Sequence, residues 1–408
     1  MKKPGSRLEK ILLSRTENWV LGLVVLALVL VGMGLAHLAQ ERARGSDVGG
    51  WLGRFAENFA GYPARVHEVV SSLSGSPTAR IDYAIGVHTN ELNSFDGLSG
   101  VPGYLGYRID GSKGKVFRLH RISDGAQINQ WRYTPGNIPA AVSLVDRTLI
   151  VKENRGFEEA TDGIIKLNRD GEVLWSTAIA AHHDLYVDQT GRIYTPVMMP
   201  RHAFSEYLED YRDDGYAILD PEGNIIEQRS FTDILVENDL AHLILGVGPL
   251  EPDPLHINAV KPAPFTTPHW QQGDLLVSSR HRSLIFLYRP STGRITWHRV
   301  GPWINQHDPD FLGQHRISVF SNNVVSSPHN RTDTDAALLD EGNQVLVYDF
   351  RTNRVSAPYQ EVMQRIGLST VTGGSHTILS DGSLFVYFNN RGLGALHNRA
   401  SDSIHWFG

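Results

Sequence analysis

The chain has 408 residues, of which 41% are hydrophobic, so it can bury one large core or two ordinary ones. A formal net charge of -6, without long runs of like charge, excludes the basic surface that a nucleic acid needs. Cysteine is absent, which excludes disulfides, thiolate metal sites and cysteine nucleophiles. The 18 histidines are therefore the main candidates for chemistry.

The N-terminus has the pattern of a membrane anchor. Residues 1–18 form a basic head, and no charge interrupts the run from Trp19 to Ala36. About 20 such residues span a bilayer core as a helix, so we predict a transmembrane segment over residues 19–39. Five basic residues precede the run and Arg42 and Arg44 follow it, which predicts a single-pass protein of the inner membrane with its main domain on the periplasmic or extracytoplasmic side. A cleaved signal peptide is the alternative, although its apolar region is usually shorter.

The segment after the anchor, residues 40–100, is predicted to be a helical and extended linker. Trp51, Phe55 and Phe59 recur at helical spacing, which predicts a short amphipathic helix within residues 48–74. From residue 101 the sequence changes to short runs rich in Val, Ile, Leu and Tyr, separated by Asp-Gly, Glu-Gly and Thr-Gly turn signals. Residues 101–408 are therefore predicted to form an all-β domain.

Four-stranded units repeat along this domain. The clearest copy, residues 185–229, contains four strands in up-and-down order. About six units of unequal length follow the same pattern, at residues 101–131, 144–175, 185–229, 256–297, 307–355 and 376–406. One such sheet cannot bury both of its faces, so the repetition predicts blades packed radially in a six-bladed β-propeller. A β-sandwich or a seven-bladed count are the alternatives, and helical insertions are expected at residues 231–246 and 358–368.

Histidines occupy equivalent places in this repeat, just before or at the start of successive inner strands. The first strand of each blade lines the central channel of a propeller, so these positions should converge although they are far apart in sequence. The four segments are Ala181-His182-His183-Asp184, Asp253-Pro-Leu-His256-Ile-Asn258, Asn305-Gln306-His307-Asp308 and Gly374-Ser375-His376.

Three kinds of chemistry suit such a cluster. Histidines can bind a divalent metal, they can supply a nucleophile and an acid to an anionic group in transfer, or they can simply join neighbouring blades. Arg280 ends the strand-like run Leu-Leu-Val-Ser-Ser of the fourth unit. A guanidinium beside imidazoles repels a metal cation and favours sulfate or phosphate, so no metal and no cofactor are expected.

Several short motifs in their order and spacing resemble the bacterial arylsulfotransferase family. They are Asp253-Pro-Leu-His-Ile-Asn-Ala-Val, Leu276-Val-Ser-Ser-Arg-His, Gly293-Arg-Ile-Thr-Trp, Gln306-His-Asp-Pro-Asp-Phe and Ile317-Ser-Val-Phe-Ser-Asn. The resemblance is densest over residues 180–325 and extends more loosely from about residue 100 to the C-terminus. It implies an exported six-bladed propeller that moves a sulfuryl group from an aryl sulfate to a hydroxyl acceptor, without a nucleotide sulfate donor.

The resemblance also implies a role for individual residues. His307, in the Gln-His-Asp motif, would be the nucleophile and would hold a transient sulfohistidine. His256 and Asn258 would contact the sulfuryl oxygens or the phenolic oxygen. Arg280 would stabilise charge on the equatorial oxygens.

The remaining histidines are assigned less specifically. His183 would complete the set of residues around the channel and act as acid or base. His182 is the alternative for this role, because the sequence does not say which of the pair faces the channel. His376 is either structural or part of the substrate pocket. The chain departs from the family in having Phe320-Ser-Asn-Asn323 where Phe-Asp-Asn-Gly is usual, and in lacking a cysteine pair that some members have.

Two other functions remain open at this stage. A non-catalytic envelope propeller would bind a protein partner or an anionic glycan, since a fold does not determine a function. A metal-dependent hydrolase or lyase is disfavoured by Arg280 and by the scarcity of carboxylates beside the histidines, Asp184 and Asp308 excepted. The oligomeric state is not indicated.

Overall fold

The computed structural model describes residues 31, 83–85, 103–109, 115–121, 126–133, 137–143, 148–154, 163–200, 211–246, 252–325, 337–388 and 393–407. The chain divides into two compact units, and every strand and helix below belongs to the larger one, residues 80–326 and 333–408. Except for residue 31, the predicted anchor at 19–39 lies outside the described residues, as does the predicted helix at 48–74. Within the described ranges, no helix has the length and apolarity needed to cross a bilayer.

The described strands form six four-stranded antiparallel sheets, each a simple meander. The first sheet contains β1 (Tyr83–Ile85), β2 (Gly103–Ile109), β3 (Lys115–Arg121) and β4 (Gln127–Tyr133). The second contains β5 (Asn137–Ser143), β6 (Leu149–Asn154), β7 (Gly163–Leu167) and β8 (Val173–Ala178). The third contains β9 (Tyr186–Val187), β10 (Ile193–Met199), β11 (Asp213–Leu219) and β12 (Ile225–Ser230).

The second half of the chain continues the pattern. The fourth sheet contains β13 (Ile257–Pro262), β14 (Leu275–Ser279), β15 (Leu284–Arg289) and β16 (Arg294–Val300). The fifth contains β17 (His307–Leu312), β18 (Arg316–Ser321), β21 (Gln344–Asp349) and β22 (Arg354–Ser356), with the pair β19 (Val324–Val325) and β20 (Ala337–Leu338) inserted after β18. The sixth contains β23 (Ser375–Ile378), β24 (Leu384–Phe388), β25 (Leu393–Asn398) and β26 (Ser403–Phe407).

Tight turns with a common chemistry join many of these strands. Asp188 accepts hydrogen bonds from the backbone N–H groups of Thr190 and Arg192, while Gly191 takes a φ of 82°. Asn168 with Gly171, and Asp220 with Gly223, repeat this geometry. The side-chain oxygen replaces a backbone acceptor and the glycine supplies the left-handed residue, which explains why these pairs are turn signals.

Apolar side chains fill the spaces between neighbouring sheets. Inner strand β13 is buried along its whole length, whereas outer strand β16 alternates between exposed and half-buried residues. Four apolar clusters each combine residues of successive sheets, and β1 of the first sheet contacts β25 of the sixth. Sheets that pack in succession and close from last to first form a β-propeller, which confirms the all-β class predicted from the repeats.

Three short helices interrupt the sheets within the described residues of the propeller. They are α1 (Phe231–Glu237), α2 (His242–Leu245) and α3 (Gln360–Ile366), inside the two predicted insertions. Ser230 caps α1 by accepting a 3.0 Å hydrogen bond from the N–H of Asp233, and Phe231 packs into the cluster between the third and fourth sheets.

One boundary differs from the prediction. Tyr83–Ile85 pairs with β2, so the first sheet begins inside the segment 40–100 that was predicted as linker. A three-residue strand in a segment rich in Gly, Ser and Asn gives no alternating pattern of its own, and it is defined by pairing with β2.

Candidate functional site

The segments that lead into the inner strands have an unusual backbone. His183, His256 and Asp308 adopt left-handed conformations, with φ values of 56°, 48° and 47°. The ladder registers of β13 and β17 are also irregular at their first residues. Left-handed backbone at non-glycine residues is uncommon and concentrates where function requires a fixed side-chain direction, and bulges re-aim side chains. These residues therefore change the direction of the chain at or just before three inner strands.

His183 and His256 meet although they belong to different sheets. Their Nε2 atoms lie 2.8 Å apart, and the rings are perpendicular in an edge contact. His182 lies behind them, with its Nδ1 3.3 Å from Nδ1 of His183. His182 is buried, whereas His183 and His256 are partly exposed. Of the adjacent pair it is thus His183 that contacts the histidine of the next blade.

Two carboxylates flank this row of imidazoles. Nδ1 of His256 lies 2.6 Å from Oδ2 of Asp253, and Nε2 of His182 lies 3.0 Å from Oδ1 of Asp214. Burial raises the pKa of Asp253, but the hydrogen bond and charge of His256 outweigh burial and lower it to about 2. Burial and the neighbouring imidazoles and Lys152 lower the pKa of His183 well below its usual value.

His307 has an amide partner instead. Its Nδ1 lies 2.7 Å from Oδ1 of Asn322, whose Nδ2 donates to the carbonyl oxygens of Thr370 and Gly373. Because those two carbonyls accept only from the NH₂ side, the amide oxygen must face His307, and Nδ1 must carry the proton. Nε2 therefore keeps its lone pair, and the N–H of Gly373 points to it at 3.3 Å.

The surroundings of His307 keep its ring neutral. Burial, followed by the charge of Arg280, lowers the pKa of His307 to about 3. His256 acts in the same direction, so His307, Arg280 and His256 share one electrostatic environment. A neutral imidazole with an available Nε2 is a competent nucleophile at physiological pH.

Arg280 is held at the end of β14 by its neighbours. Its backbone N–H donates to the carbonyl oxygen of His256, which joins the end of β14 to the segment that carries this histidine. Its Nη1 lies 3.1 Å from Nε2 of His281, whose Nδ1 donates to the carbonyl oxygen of Asp253. Burial and the charge of His256 lower the pKa of His281 to about 4, so a neutral ring orients the guanidinium.

Asn258 is bonded to the segment that carries His307. It is 4% exposed, and its Nδ2 donates to the carbonyl oxygen of Gln306 at 2.7 Å. Gln306 in turn donates to Ser278 and to the backbone of β14. Asn258 thus fixes the residue before His307, while its Oδ1 makes no hydrogen bond among the described residues.

His376 is packed below the cluster. Its side chain is buried, its backbone N–H donates to Oδ2 of Asp308, and its Nδ1 lies 3.4 Å from the same oxygen. Oδ1 of Asp308 accepts from Nζ of Lys261 at 2.5 Å. Burial raises the pKa of Asp308, but Lys261 and His376 outweigh burial and hold it well below the usual range.

One group of donors in the described residues has metal-like spacing, Asp253, His256 and His281. Both ring nitrogens of His281 are already engaged, by Arg280 and by the carbonyl of Asp253. A guanidinium at a ligand nitrogen opposes a cation, so this group does not fit a metal.

Sequence reasoning missed Asp214, Asp253, His281 and Asn322. Asp253 lies three residues before His256, and His281 directly follows Arg280, both within the family-like motifs. Their closeness in sequence to predicted site residues could have identified both. Asn322 lies within the divergent Phe320–Asn323 segment. Asp214 is the second residue of β11, within the polar stretch Arg-Asp-Asp-Gly, and gave no signal.

Fold and site together define a β-propeller with a buried histidine–arginine cluster suited to an oxyanion. A sequence model of the family described as arylsulfotransferase (ASST) matches residues 153–406. The chain belongs to this arylsulfotransferase family. No curated protein matches the chain.

Two solved structures show a weak similarity to the chain. A streptogramin B lyase is 10% identical over 80% of this chain and 83% of its own, with a TM-score of 0.42. A catalytically inactive virginiamycin B lyase from Staphylococcus aureus with quinupristin is 9% identical over 81% and 85%, with a TM-score of 0.43. TM-scores below 0.5 support no inference about chemistry.

Proposed function

We propose that this protein transfers a sulfuryl group from an aryl sulfate to a phenolic or other hydroxyl acceptor through a sulfohistidine at His307. The observation that carries the proposal is the neutral His307 ring beside Arg280, whose unprotonated Nε2 accepts a long, 3.3 Å hydrogen bond from the N–H of Gly373. We also infer that each four-stranded sheet is one of six blades, and that the domain works on the extracytoplasmic side of a membrane.

The first half-reaction breaks the bond between sulfur and the phenolic oxygen. Nε2 of His307 attacks sulfur as the phenol departs with a proton from a nearby imidazole. The second half-reaction reverses these steps, as an acceptor hydroxyl loses its proton and attacks sulfur, and His307 regains its lone pair. In-line positioning and cationic donors supply most of the catalysis of such a transfer.

Asn322 serves both half-reactions. By accepting from Nδ1, it keeps the Nδ1 proton in place while Nε2 carries the sulfuryl group. The sulfonated ring is then a cation, which is a far better leaving group than the corresponding neutral, deprotonated ring. The N–H of Gly373, now 3.3 Å from Nε2, is placed to donate to a sulfuryl oxygen.

Arg280 supports the sulfuryl oxygens, and the pair His183 and His256 serves the oxygen of the phenol. The guanidinium is positioned by His281. His256 and His183 contact each other through their Nε2 atoms. One of the two transfers the proton to or from the oxygen of the phenol. His182, Asn258 and His376 support these groups from buried positions.

The test uses the full chain with a chromogenic aryl sulfate and a phenol acceptor. Release of the donor phenol that requires the acceptor, and a mass gain of one sulfuryl group on His307 with donor alone, are expected. His307→Ala should lose both and keep its melting temperature. No turnover and no covalent adduct in the unmodified chain would favour the non-catalytic propeller that binds a partner or an anionic glycan.

A further inference from the structure

Residues of the fifth and sixth sheets line a cavity of about 640 Å³. We call it the turn cavity, because it is lined by the turns that join β17 to β18, β21 to β22, β23 to β24 and β25 to β26. Leu312 and Ile378, the last residues of inner strands β17 and β23, belong to its lining, whereas His307 and Ser375 are the first residues of the same strands. The turn cavity therefore lies at the opposite ends of these strands from the histidine cluster, and its volume suits a small ligand.

The lining of the turn cavity includes three exposed arginines, Arg316, Arg354 and Arg399. Their guanidiniums form no hydrogen bond or ion pair with any other residue in the described ranges. Other arginines of the propeller are paired with a carboxylate. Arg289 donates twice to Asp274, and Arg365 donates to Asp402. The three guanidiniums of the turn cavity thus keep their donors for a ligand.

Two carboxylates in the lining do not neutralise these arginines. Asp349 stands opposite Arg316 on β18 and opposite Arg354 on β22 in the sheet register. Its Oδ1 nevertheless accepts from two backbone N–H groups of its own turn. Asp381 accepts from the N–H and the hydroxyl of Ser383. Both carboxylates therefore stabilise turns, and three positive charges remain beside two negative ones.

A half-buried tyrosine lies among the same groups. The hydroxyl of Tyr359 donates to the carbonyl oxygen of Gly382 at 3.1 Å. Burial raises the pKa of Tyr359, and the charges of Arg399 and Arg316 oppose that rise, so both guanidiniums lie near the phenol. A Cβ on Gly382 would come 2.4 Å from Nη1 of Arg399, so the glycine leaves the room that this guanidinium occupies.

We propose that the turn cavity is a second binding site of this protein and that it takes an anionic saccharide. An anionic group of the saccharide accepts from the guanidiniums, whose planar forks suit a sulfate or a carboxylate. Saccharide hydroxyls donate to the free lone pairs of Asp349 and Asp381 and bond to the hydroxyls of Ser356 and Ser380, which also line the cavity. The C–H face of a sugar ring packs on Tyr359.

The mixture of charges favours a saccharide over a simple anion. Carboxylates in the lining repel a small, highly charged ion, whereas a sugar offers hydroxyl donors to them and only one or two negative groups to the guanidiniums. This binding needs none of the histidines and does not depend on sulfuryl transfer, so it goes beyond the proposed function.

Isothermal titration calorimetry of the full chain tests the proposal, with a disaccharide that carries one uronate and one sulfate as the probe. One equivalent should bind, and lactose, which is neutral, should bind at least about tenfold more weakly because it leaves the guanidiniums without an anion. No binding of the probe would overturn the proposal. Inorganic sulfate that binds as tightly as the disaccharide would also overturn it, since the site would then recognise the anion alone.

Arg354→Ser and Arg399→Ser should each weaken binding of the disaccharide by about tenfold, because each removes charge-assisted hydrogen bonds. Arg294→Ser is the matched control. Arg294 is the exposed first residue of β16, as Arg354 is of β22, and it lies outside the turn cavity. The control should keep its Kd within about twofold, and all three variants should keep their melting temperature. If both cavity variants bind as tightly as the control, the proposal is wrong.

Arg280→Met separates the turn cavity from the histidine cluster, which also suits an oxyanion. This variant should bind the disaccharide as tightly as the unmodified chain. Loss of binding in Arg280→Met, with full binding in the two cavity variants, would place the saccharide at the cluster and overturn the proposal. A chain that transfers sulfuryl groups but binds no disaccharide would refute the second site alone, and a chain that binds the disaccharide at the turn cavity without transfer would refute the proposed function alone.

Discussion

The site has two halves that use the same residue type in opposite ways. On one side His183 and His256 lie in a row that ends in carboxylates, and on the other His307 bonds to the amide of Asn322. The carboxylate next to His307 in sequence, Asp308, points away and pairs with Lys261. A carboxylate partner favours a protonated imidazole, whereas an amide beside a guanidinium favours a neutral one.

In the proposed reaction, this difference separates the acid from the nucleophile. A nucleophilic imidazole must be neutral, and an imidazole that protonates a leaving oxygen must carry a proton to give. The identity of the hydrogen-bond partner therefore matters as much as the histidine itself. The following predictions change one partner at a time.

The largest effect is expected on stability, from Asp308→Asn. This change leaves the ammonium of Lys261 buried without its carboxylate, and breaking a buried pair costs about 3–5 kcal/mol of unfolding free energy. Urea unfolding should show the loss, while Asp220→Asn, in an exposed turn where an asparagine side chain also fits, should leave the midpoint nearly unchanged. Equal midpoints for the two variants would contradict the role of the ion pair.

Arg280→Met should lower kcat by about 10²- to 10³-fold, the usual effect of removing one donor from an oxyanion site. It should also raise the pKa of His307, because the charge of Arg280 lowers it. Steady-state transfer from 4-nitrophenyl sulfate measures the first effect. Arg289→Met removes a guanidinium of the same sheet from outside the cluster and should keep its kcat, so a matching fall there would argue against a specific role of Arg280.

Asn322→Asp gives His307 the kind of partner that His256 has. The added negative charge should raise the pKa of His307 from about 3, so the acidic limb of the pH–rate profile should move to higher pH. Each pKa unit costs about tenfold in rate at a pH below the new value. Asn168→Asp is the control, because aspartate already occupies two equivalent turns. An unmoved limb would mean that Asn322 does not set the charge of His307.

The smallest effect is expected from His281→Gln on the pH dependence of stability. The pKa of His281 is about 4 in the folded protein and near 6.5 in an unfolded chain, so the unfolded state binds more protons between these values. The wild-type chain should therefore lose stability as the pH falls from 6.5 towards 4, by up to about 1.4 kcal/mol per pH unit from this group. The variant should show a shallower slope in thermal unfolding across that range, and parallel slopes would contradict the prediction.

The fold was largely predictable because its signals are local. The turns at Asp188 and Asp220 are encoded within five residues, and alternation in strands such as β16 marks the outer edge of a sheet. Tyr83–Ile85 and the pair β19 and β20 were not predicted, because strands of two or three residues have no periodicity to detect.

The histidines of the site were predictable as positions but not as chemical states. Repeat equivalence indicated that His183, His256 and His307 start inner strands, and the structure brings His183 and His256 into contact. It could not distinguish His182 from His183, since both precede the same strand. The left-handed backbone at His183 turns one ring towards His256 and leaves the other beside Asp214.

The sequence by itself determined a repeating β domain and the residue types at the starts of its inner strands, because turn chemistry and strand alternation act between near neighbours. Only the tertiary structure decided which histidine faces a carboxylate and which faces an amide. Asp214 and Asn322 reach their rings from other strands or loops, and the charge of an imidazole depends on the groups within a few ångströms in space, whatever their separation along the chain.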